Sequence, residues 1–219
     1  TEEQLMVQKA ARDFAQSELL PGVIERDEKM IFPAEQIKKM GELGFMGMMV
    51  DPKYGGSGLD TISYVLAMEE ISKVDDSASV VMSVNNSLVC WGLQAFGNEE
   101  QKQQWLPLLA SGQIHGAFCL SEPEAGSDAT SQKTTAVDMG DHYLVNGTKN
   151  WITNGNTASF YIVIAQTDVE KKSKGINALI MTKDMLGFSI GPKEHKMGIR
   201  GSVTHSLMFN DVKGPKENR

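Results

Sequence analysis

Apolar positions in the first half of the chain recur every three to four residues. Leu5, Met6, Ala10, Phe14 and Leu19 follow that spacing and predict a helix that Pro21-Gly22 ends. Pro33 suits a first helical position, and Ile37, Met40 and Leu43 make a stripe with Gly44 as the C′ residue behind it. Tyr54-Gly55-Gly56-Ser57-Gly58 reads as a loop, and Asp60 can cap a helix carrying Ile62, Val65, Leu66 and Ile71. Residues 77–96 are apolar nearly all round, which predicts a helix buried inside its domain. Asn98 with Gln101 has the pattern of a capping box, opening a short helix through Trp105 and Leu109.

The period changes near residue 113. From there the chain reads as strands and turns: Ile114–Leu120, Lys133–Val137, Tyr143–Val145, Thr148–Thr153, Phe160–Gln166, Ile176–Thr182 and Ser206–Phe209. Asn146-Gly147 lies between two of these and predicts a tight hairpin. Asp168–Gly175 is a charged loop. Helices followed by strands, without alternation, give an α+β chain rather than a parallel Rossmann sheet. The division is a helical domain over 1–113 and a β-rich domain over 114–219.

Composition narrows the function classes. The 219 residues are 41% hydrophobic and 22% charged, the balance of a globular protein. Net charge is −7, which argues against a nucleic-acid binder. Cys90 and Cys119 both lie in apolar runs, and two isolated cysteines make neither a disulfide framework nor a zinc site, which favours a reducing compartment. No apolar stretch is long enough to span a bilayer. Thr1-Glu2-Glu3-Gln4 is acidic and reads as a first helical turn, not a signal peptide.

Most motif searches return nothing. There is no Walker-type phosphate loop, and Gly55-Gly56-Ser57-Gly58 is not a dinucleotide fingerprint. His115, His142, His195 and His205 lack any close ligand spacing, so no metal site is expected. The sequons at Asn85 and Asn146 fall in a buried helix and a tight turn and read as incidental. The thirteen methionines read as core filler.

Two segments carry more. Phe118–Asp128 begins as a strand and is then broken by Pro123, Gly126, Ser127 and Asp128, leaving backbone N–H groups and two small hydroxyls free for an anion or carbonyl. Trp151-Ile152-Thr153 puts a flat ring and a hydroxyl on one face of a strand, which suits a planar heteroaromatic ligand. Taken alone, the second pattern also reads as a core Trp and a strand-end Thr.

Together these segments resemble the acyl-CoA dehydrogenase family. Cys119 through Ser131 fits the family's first signature at every position. Asn146-Gly147-Thr148-Lys149, followed by Trp151-Ile152-Thr153-Asn154, is similar to its second landmark. Lys196–Ser202 looks like a third, and Phe209–Lys213 with Pro215 resembles the last strand of its β domain. The stretches Met82–Leu88 and Gly198–Ser202 look like the short-chain, butyryl-CoA branch.

The resemblance implies a helical N-terminal domain, an antiparallel β-barrel or sandwich that binds flavin, and a C-terminal four-helix domain that would begin about where this chain ends. It implies FAD as cofactor, acyl-CoA as substrate, electron-transfer flavoprotein as partner, a homotetramer when full length, and a bacterial cytoplasmic or mitochondrial matrix location. Carried over position by position, Phe118, Cys119, Leu120, Ser121, Gly126, Ser127, Trp151, Ile152 and Thr153 match the flavin-lining residues. Leu120 and Ser121 match the groups at the pyrimidine edge, Trp151 the aromatic along the ring, and Thr153 the hydroxyl at flavin N5. Ser127 matches a residue touching the CoA part of the substrate, and Leu88 and Trp91 are candidates for closing a short acyl pocket. The implied reaction is α,β-dehydrogenation to the trans-2-enoyl-CoA. The family's base is a glutamate of the C-terminal domain, so no catalytic residue is assigned here, and these residues alone are expected to be inactive. Gly214, where an apolar residue is expected before Pro215, departs from the pattern and should loosen the last strand. An acyl-CoA oxidase and a non-catalytic CoA-thioester or flavin-binding module are the competing readings.

Overall fold

The computed structural model describes residues 1–219 and divides them into two compact units. The first comprises Thr1–His115 with His195–Ser202, and the second Gly116–Glu194 with Val203–Arg219.

The helical unit contains α1 (Glu2–Phe14), α2 (Val23–Glu28), α3 (Ala34–Glu42), α4 (Thr61–Ser72), α5 (Asp76–Ser83), α6 (Trp91–Phe96) and α7 (Glu99–Ala110). Their ends are fixed locally. Asp60 Oδ1 accepts from Ser63 N at 2.7 Å to start α4, and Asn98 and Gln101 exchange two hydrogen bonds to start α7. Gly44, at φ +82°, ends α3: its N–H donates to Gly41 O at 3.0 Å and Phe45 N–H to Met40 O at 2.8 Å, a Schellman motif. Pro33 caps α3 rather than opening it.

Two π turns interrupt the helical runs. Ala15–Leu19 continues α1, and Val84–Cys90 joins α5 to α6. The second carries a buried asparagine pair. Asn85 Nδ2 donates to Met46 O at 2.8 Å and Leu109 O at 3.1 Å. Asn86 Nδ2 donates to Phe45 O at 2.8 Å, and its Oδ1 accepts from Met48 N at 2.8 Å. The irregular segment behind α3 therefore gets from these side chains the partners that secondary structure would otherwise supply. It also leaves Asn85 fully buried, with no room for a glycan.

The 77–96 run is only half buried. Val81, Met82, Val89 and Leu93 face the core, whereas Leu88, Trp91 and Phe96 are exposed. Likewise Phe14 and Leu19 of the first stripe are buried and Leu5 and Met6 are not. Apolarity marks what a face could cover, not what it meets. No helix is long and apolar enough to cross a membrane.

The second unit has seven strands: β1 (Gly116–Cys119), β2 (Thr135–Asp138), β3 (His142–Thr153), β4 (Phe160–Gln166), β5 (Ile176–Met181), β6 (Phe188–Lys193) and β7 (Thr204–Pro215). β2, β3, β7 and β6 form an antiparallel run, while β4 lies between β1 and β5. The two groups join where Thr135 pairs with Gln166. Ala117, Val145, Tyr161, Leu179, Leu207 and Phe209 belong to the single apolar core they enclose.

The expectation of an antiparallel barrel or sandwich is corrected in one respect. The sheet is mixed, because β1 runs parallel to β4 and β2 meets β4 in parallel. The Asn146-Gly147 hairpin does not form either, and one strand runs through both residues. Asn146 Nδ2 donates to the Asp211 carboxylate at 3.0 Å and its Oδ1 accepts from Asp211 N at 2.9 Å, so the amide braces a bulge on β7. The β2–β3 turn lies instead at Gly140, φ +98°. Gly214 does not stop β7, which pairs it with Tyr143 and continues to Pro215.

Candidate functional site

The two informative segments meet in the second unit. Their junction is a row of hydrogen bonds between the loop after β1 and consecutive residues of β3. Lys149 Nζ donates to Leu120 O at 3.0 Å, and Asn150 N–H donates to Ser121 O at 2.8 Å. Lys149 also reaches Glu122 Oε1 at 2.8 Å and Gln132 Oε1 at 3.1 Å. Glu122 accepts in addition from Lys133 N at 2.5 Å and Thr134 N at 3.1 Å. Its own main chain closes a tight turn with Ala125, Glu122 N–H to Ala125 O at 2.9 Å.

Lys149 is fully buried and Glu122 nearly so. Burial pushes the Glu122 carboxyl up, but the hydrogen bonds from Lys149, Thr134 and Lys133 prevail and hold it below the usual carboxylate range. Burial lowers the Lys149 ammonium, against the pull of Glu122. Lys149 stands in the second landmark, but the sequence gives it no role of its own, since a lysine in a strand ordinarily faces water.

Immediately after Lys149 the strand bulges. Lys149 pairs with Leu207 and Ile152 with His205, so Asn150 and Trp151 together oppose Ser206. Trp151 takes φ +59°, a strained backbone for an aromatic residue. Its ring is 62% exposed, while Ile152 is buried and Thr153 half-buried.

The other sequence-derived residues sort by burial. Phe118, Leu120 and Ser121 are half-buried; Gly126 and Ser127 are exposed. Cys119 and Ile152 put their side chains in the core, so neither side chain is open to a ligand. Burial pushes the Cys119 thiol far up. Leu88 and Trp91, in the helical unit, are exposed at 42% and 52%, and Trp91 packs edge-on against Phe96 with centroids 5.7 Å apart. A cavity of about 540 Å³ in the helical unit is lined by Val7, Phe14, Lys39, Phe45, Met48 and Leu59 among others, and by none of the sequence-derived residues. No three His, Cys, Asp or Glu side chains come together in a way that could hold a metal ion.

The donor set suits a planar heteroaromatic group. The hydroxyls of Ser121, Ser127 and Thr153 make no hydrogen bond within the chain, and a Cβ built on Gly126 would meet nothing within 4 Å. Open main chain, unpartnered hydroxyls and an exposed indole therefore lie on two segments tied together by Lys149 and Asn150.

Residues 1–113 match the description "Acyl-CoA dehydrogenase, N-terminal domain", and residues 117–212 match "Acyl-CoA dehydrogenase, middle domain". The chain belongs to the acyl-CoA dehydrogenase family. It is 46% identical over 218 residues to the short-chain specific acyl-CoA dehydrogenase of Clostridium acetobutylicum, covering 100% of this chain and 58% of that one. A subunit of the caffeyl-CoA reductase-Etf complex of Acetobacterium woodii, CarC, is 44% identical over 220 residues, with 100% and 58% covered. The structure of butyryl-CoA dehydrogenase from Megasphaera elsdenii superposes with a TM-score of 0.95 at 44% identity, with the same coverage. The chain thus spans somewhat over half the length of the relatives it matches. The resemblance read from Cys119–Ser131 and the Trp151 segment therefore names the right family, and the short-chain branch is represented among its relatives.

Proposed function

We propose that this chain forms the helical and flavin-binding parts of a short-chain acyl-CoA dehydrogenase, which oxidises a butyryl-CoA-type thioester to the trans-2-enoyl-CoA. The observation that carries the reading is the junction itself: Lys149 and Asn150 hold the 120–122 loop beside the strand whose next residue is the exposed Trp151. In this reading residues 1–113 are the helical domain and 114–219 the flavin domain.

FAD, when bound, supplies the acceptor for the β hydrogen, which leaves as hydride. Every other role falls to side chains and main chain. Leu120 and Ser121 offer donors to the polar edge of the ring, where negative charge grows during the reaction. Trp151 gives the ring a flat apolar wall, and Thr153 orients it through its hydroxyl. Ser127 is assigned to the CoA portion, and Leu88 and Trp91 to the acyl end. Glu122 cannot act as base, because its oxygens are committed to Lys149, Lys133 and Thr134. Asp128 is likewise engaged by the Thr130 and Ser131 hydroxyls. The family resemblance assigns the α proton to a glutamate of the C-terminal domain, and neither of these two engaged carboxylates replaces it. The natural oxidant is an electron-transfer flavoprotein, which the name of the Acetobacterium relative supports. The assembly is a homotetramer in a bacterial cytoplasm or mitochondrial matrix.

The test is to purify the whole protein, release and identify its flavin, and titrate it with butyryl-CoA. Stoichiometric FAD, bleached by butyryl-CoA and weakened by Trp151→Ala, is expected. Higher kcat/KM with octanoyl-CoA would sink the acyl assignment, and faster reoxidation by air than by electron-transfer flavoprotein would make it an oxidase. A protein that neither carries nor takes up FAD would overturn the reading.

A further inference from the structure

We propose that Lys149 is a positioning residue: its buried ammonium, shared with Glu122 and Gln132, fixes the Leu120–Ser121 peptide and the start of the Trp151 bulge in the arrangement that receives the flavin ring. This rests on the flavin reading above.

An ammonium has three N–H donors and no acceptor. Lys149 meets three acceptors, Leu120 O, Glu122 Oε1 and Gln132 Oε1, at 3.0, 2.8 and 3.1 Å, and it is 0% exposed. It is saturated, so no donor remains for a ligand. Its charge is met by the Glu122 carboxylate inside the same cluster. Lys149 can therefore act on a bound group only through the atoms it holds.

Those atoms are informative. The Leu120 carbonyl and the Ser121 N–H belong to one planar peptide, so fixing the first direction fixes the second. The next carbonyl, Ser121 O, is held by Asn150 N. Two successive loop carbonyls are thus tied to two successive residues of β3, and the residue that follows is Trp151 at φ +59°. One buried side chain sets both the loop peptide and the point from which the strand departs from regular pairing.

Stability alone is a poor explanation for this cluster. A buried ion pair gives little net stability, and well-packed apolar side chains often replace one without loss. What apolar packing cannot do is fix the rotation of a peptide plane. Gln132 is oriented by the same group: its Oε1 must face the ammonium, because its Nε2 is itself a donor.

Two readouts separate positioning from folding: the melting temperature of the apoprotein, and the FAD dissociation constant with the absorption envelope of the bound flavin. Lys149→Met strands Glu122 and is expected to lower the melting temperature and weaken FAD binding by about tenfold or more. The double variant Lys149→Met/Glu122→Gln removes both charges. It is expected to recover most of the melting temperature while FAD binding stays about tenfold weak and the flavin bands remain shifted. A folded double variant with wild-type affinity and spectrum would overturn the proposal. Failure of both variants to fold would make the pair a folding determinant and would overturn it equally. A wild-type protein that binds no FAD would instead strike the functional reading on which the proposal rests.

Discussion

Glu70 offers a sharp test of how the helical unit is held. It lies on α4, 4% exposed, and accepts from Arg12 Nε and Nη2 at 2.9 Å each, from Gln8 at 3.0 Å and from Lys73 at 3.1 Å. The Arg12 hydrogen bonds outweigh the cost of burial and hold its carboxyl at about 2, against an ordinary 4.5. The folded value is the lower one, so the stabilisation is complete above pH 4.5 and is lost as pH falls toward 2. A gap of between two and three pH units corresponds to about 3–4 kcal/mol at most. Arg12 is 54% exposed, and water screens that partner, which brings the expected contribution to about 1–2 kcal/mol. Glu70→Gln keeps the shape and removes the charge. Urea unfolding of both proteins should show the wild type more stable by about 1–2 kcal/mol near neutral pH. The difference should shrink below pH 4.5 and be nearly gone close to pH 2. A difference that stays constant across that range, or its absence at neutral pH, would refute the assignment of the stabilisation to an ionised Glu70.

Three further outcomes are expected. Asn86→Leu leaves Met48 N–H and Phe45 O unpaired in the core and should cost about 3 kcal/mol in urea unfolding, with the denaturant slope unchanged. Gly147→Ala places a methyl 2.4 Å from Thr134 Oγ1 at φ +149°, so the melting temperature should fall well below that of a control such as Gly126→Ala, whose Cβ meets nothing within 4 Å. Burial pushes the Cys90 thiol to about 12 and Cys119 higher still, so neither should react with a thiol reagent at neutral pH until the protein is unfolded. Rapid modification of the native protein would contradict their placement.

What was legible in the sequence follows the range of the interaction. The Asn98 box, the Asp60 cap and the Gly44 terminus rest on hydrogen bonds that span a few residues, and all three were readable. The parallel pairing of β1 with β4 was not, because the partners lie more than forty positions apart. β6 escaped notice for a different reason. Phe188-Ser189-Ile190-Gly191-Pro192-Lys193 contains Gly and Pro, which weaken a strand pattern, but the strand sits at the edge of the sheet, where proline is tolerated. Asn146-Gly147 misled because its amide finds a partner in Asp211, sixty-five residues on, rather than in a local turn. Residue type and family resemblance pick out the loop and Trp151; the lysine that joins them stands in the same landmark, but nothing local shows that it is buried and reaches the loop.

Parity along β3 explains why no pattern could reveal which way Trp151 faces. Alternation from Val145 places residue 149 inward, and Lys149 is indeed fully buried. Continued without interruption, the same alternation would put Trp151 and Thr153 inward as well. The bulge opposite Ser206 inserts one residue and flips the remainder of the strand, so Ile152 enters the core and Trp151 and Thr153 turn outward together. The earlier bulge lies on β7, where Asn210 and Asp211 oppose Asn146, and the two offsets cancel by the time Ile152 meets His205. Reading Trp151 and Thr153 as sharing a face was therefore sound, but the face itself is decided by a positive φ at a non-glycine residue, at a cost on the order of 1–3 kcal/mol. That strain lets one short stretch do two incompatible things: bury a lysine that grips the loop, and two residues later present an indole to the outside. A regular strand could have done one or the other.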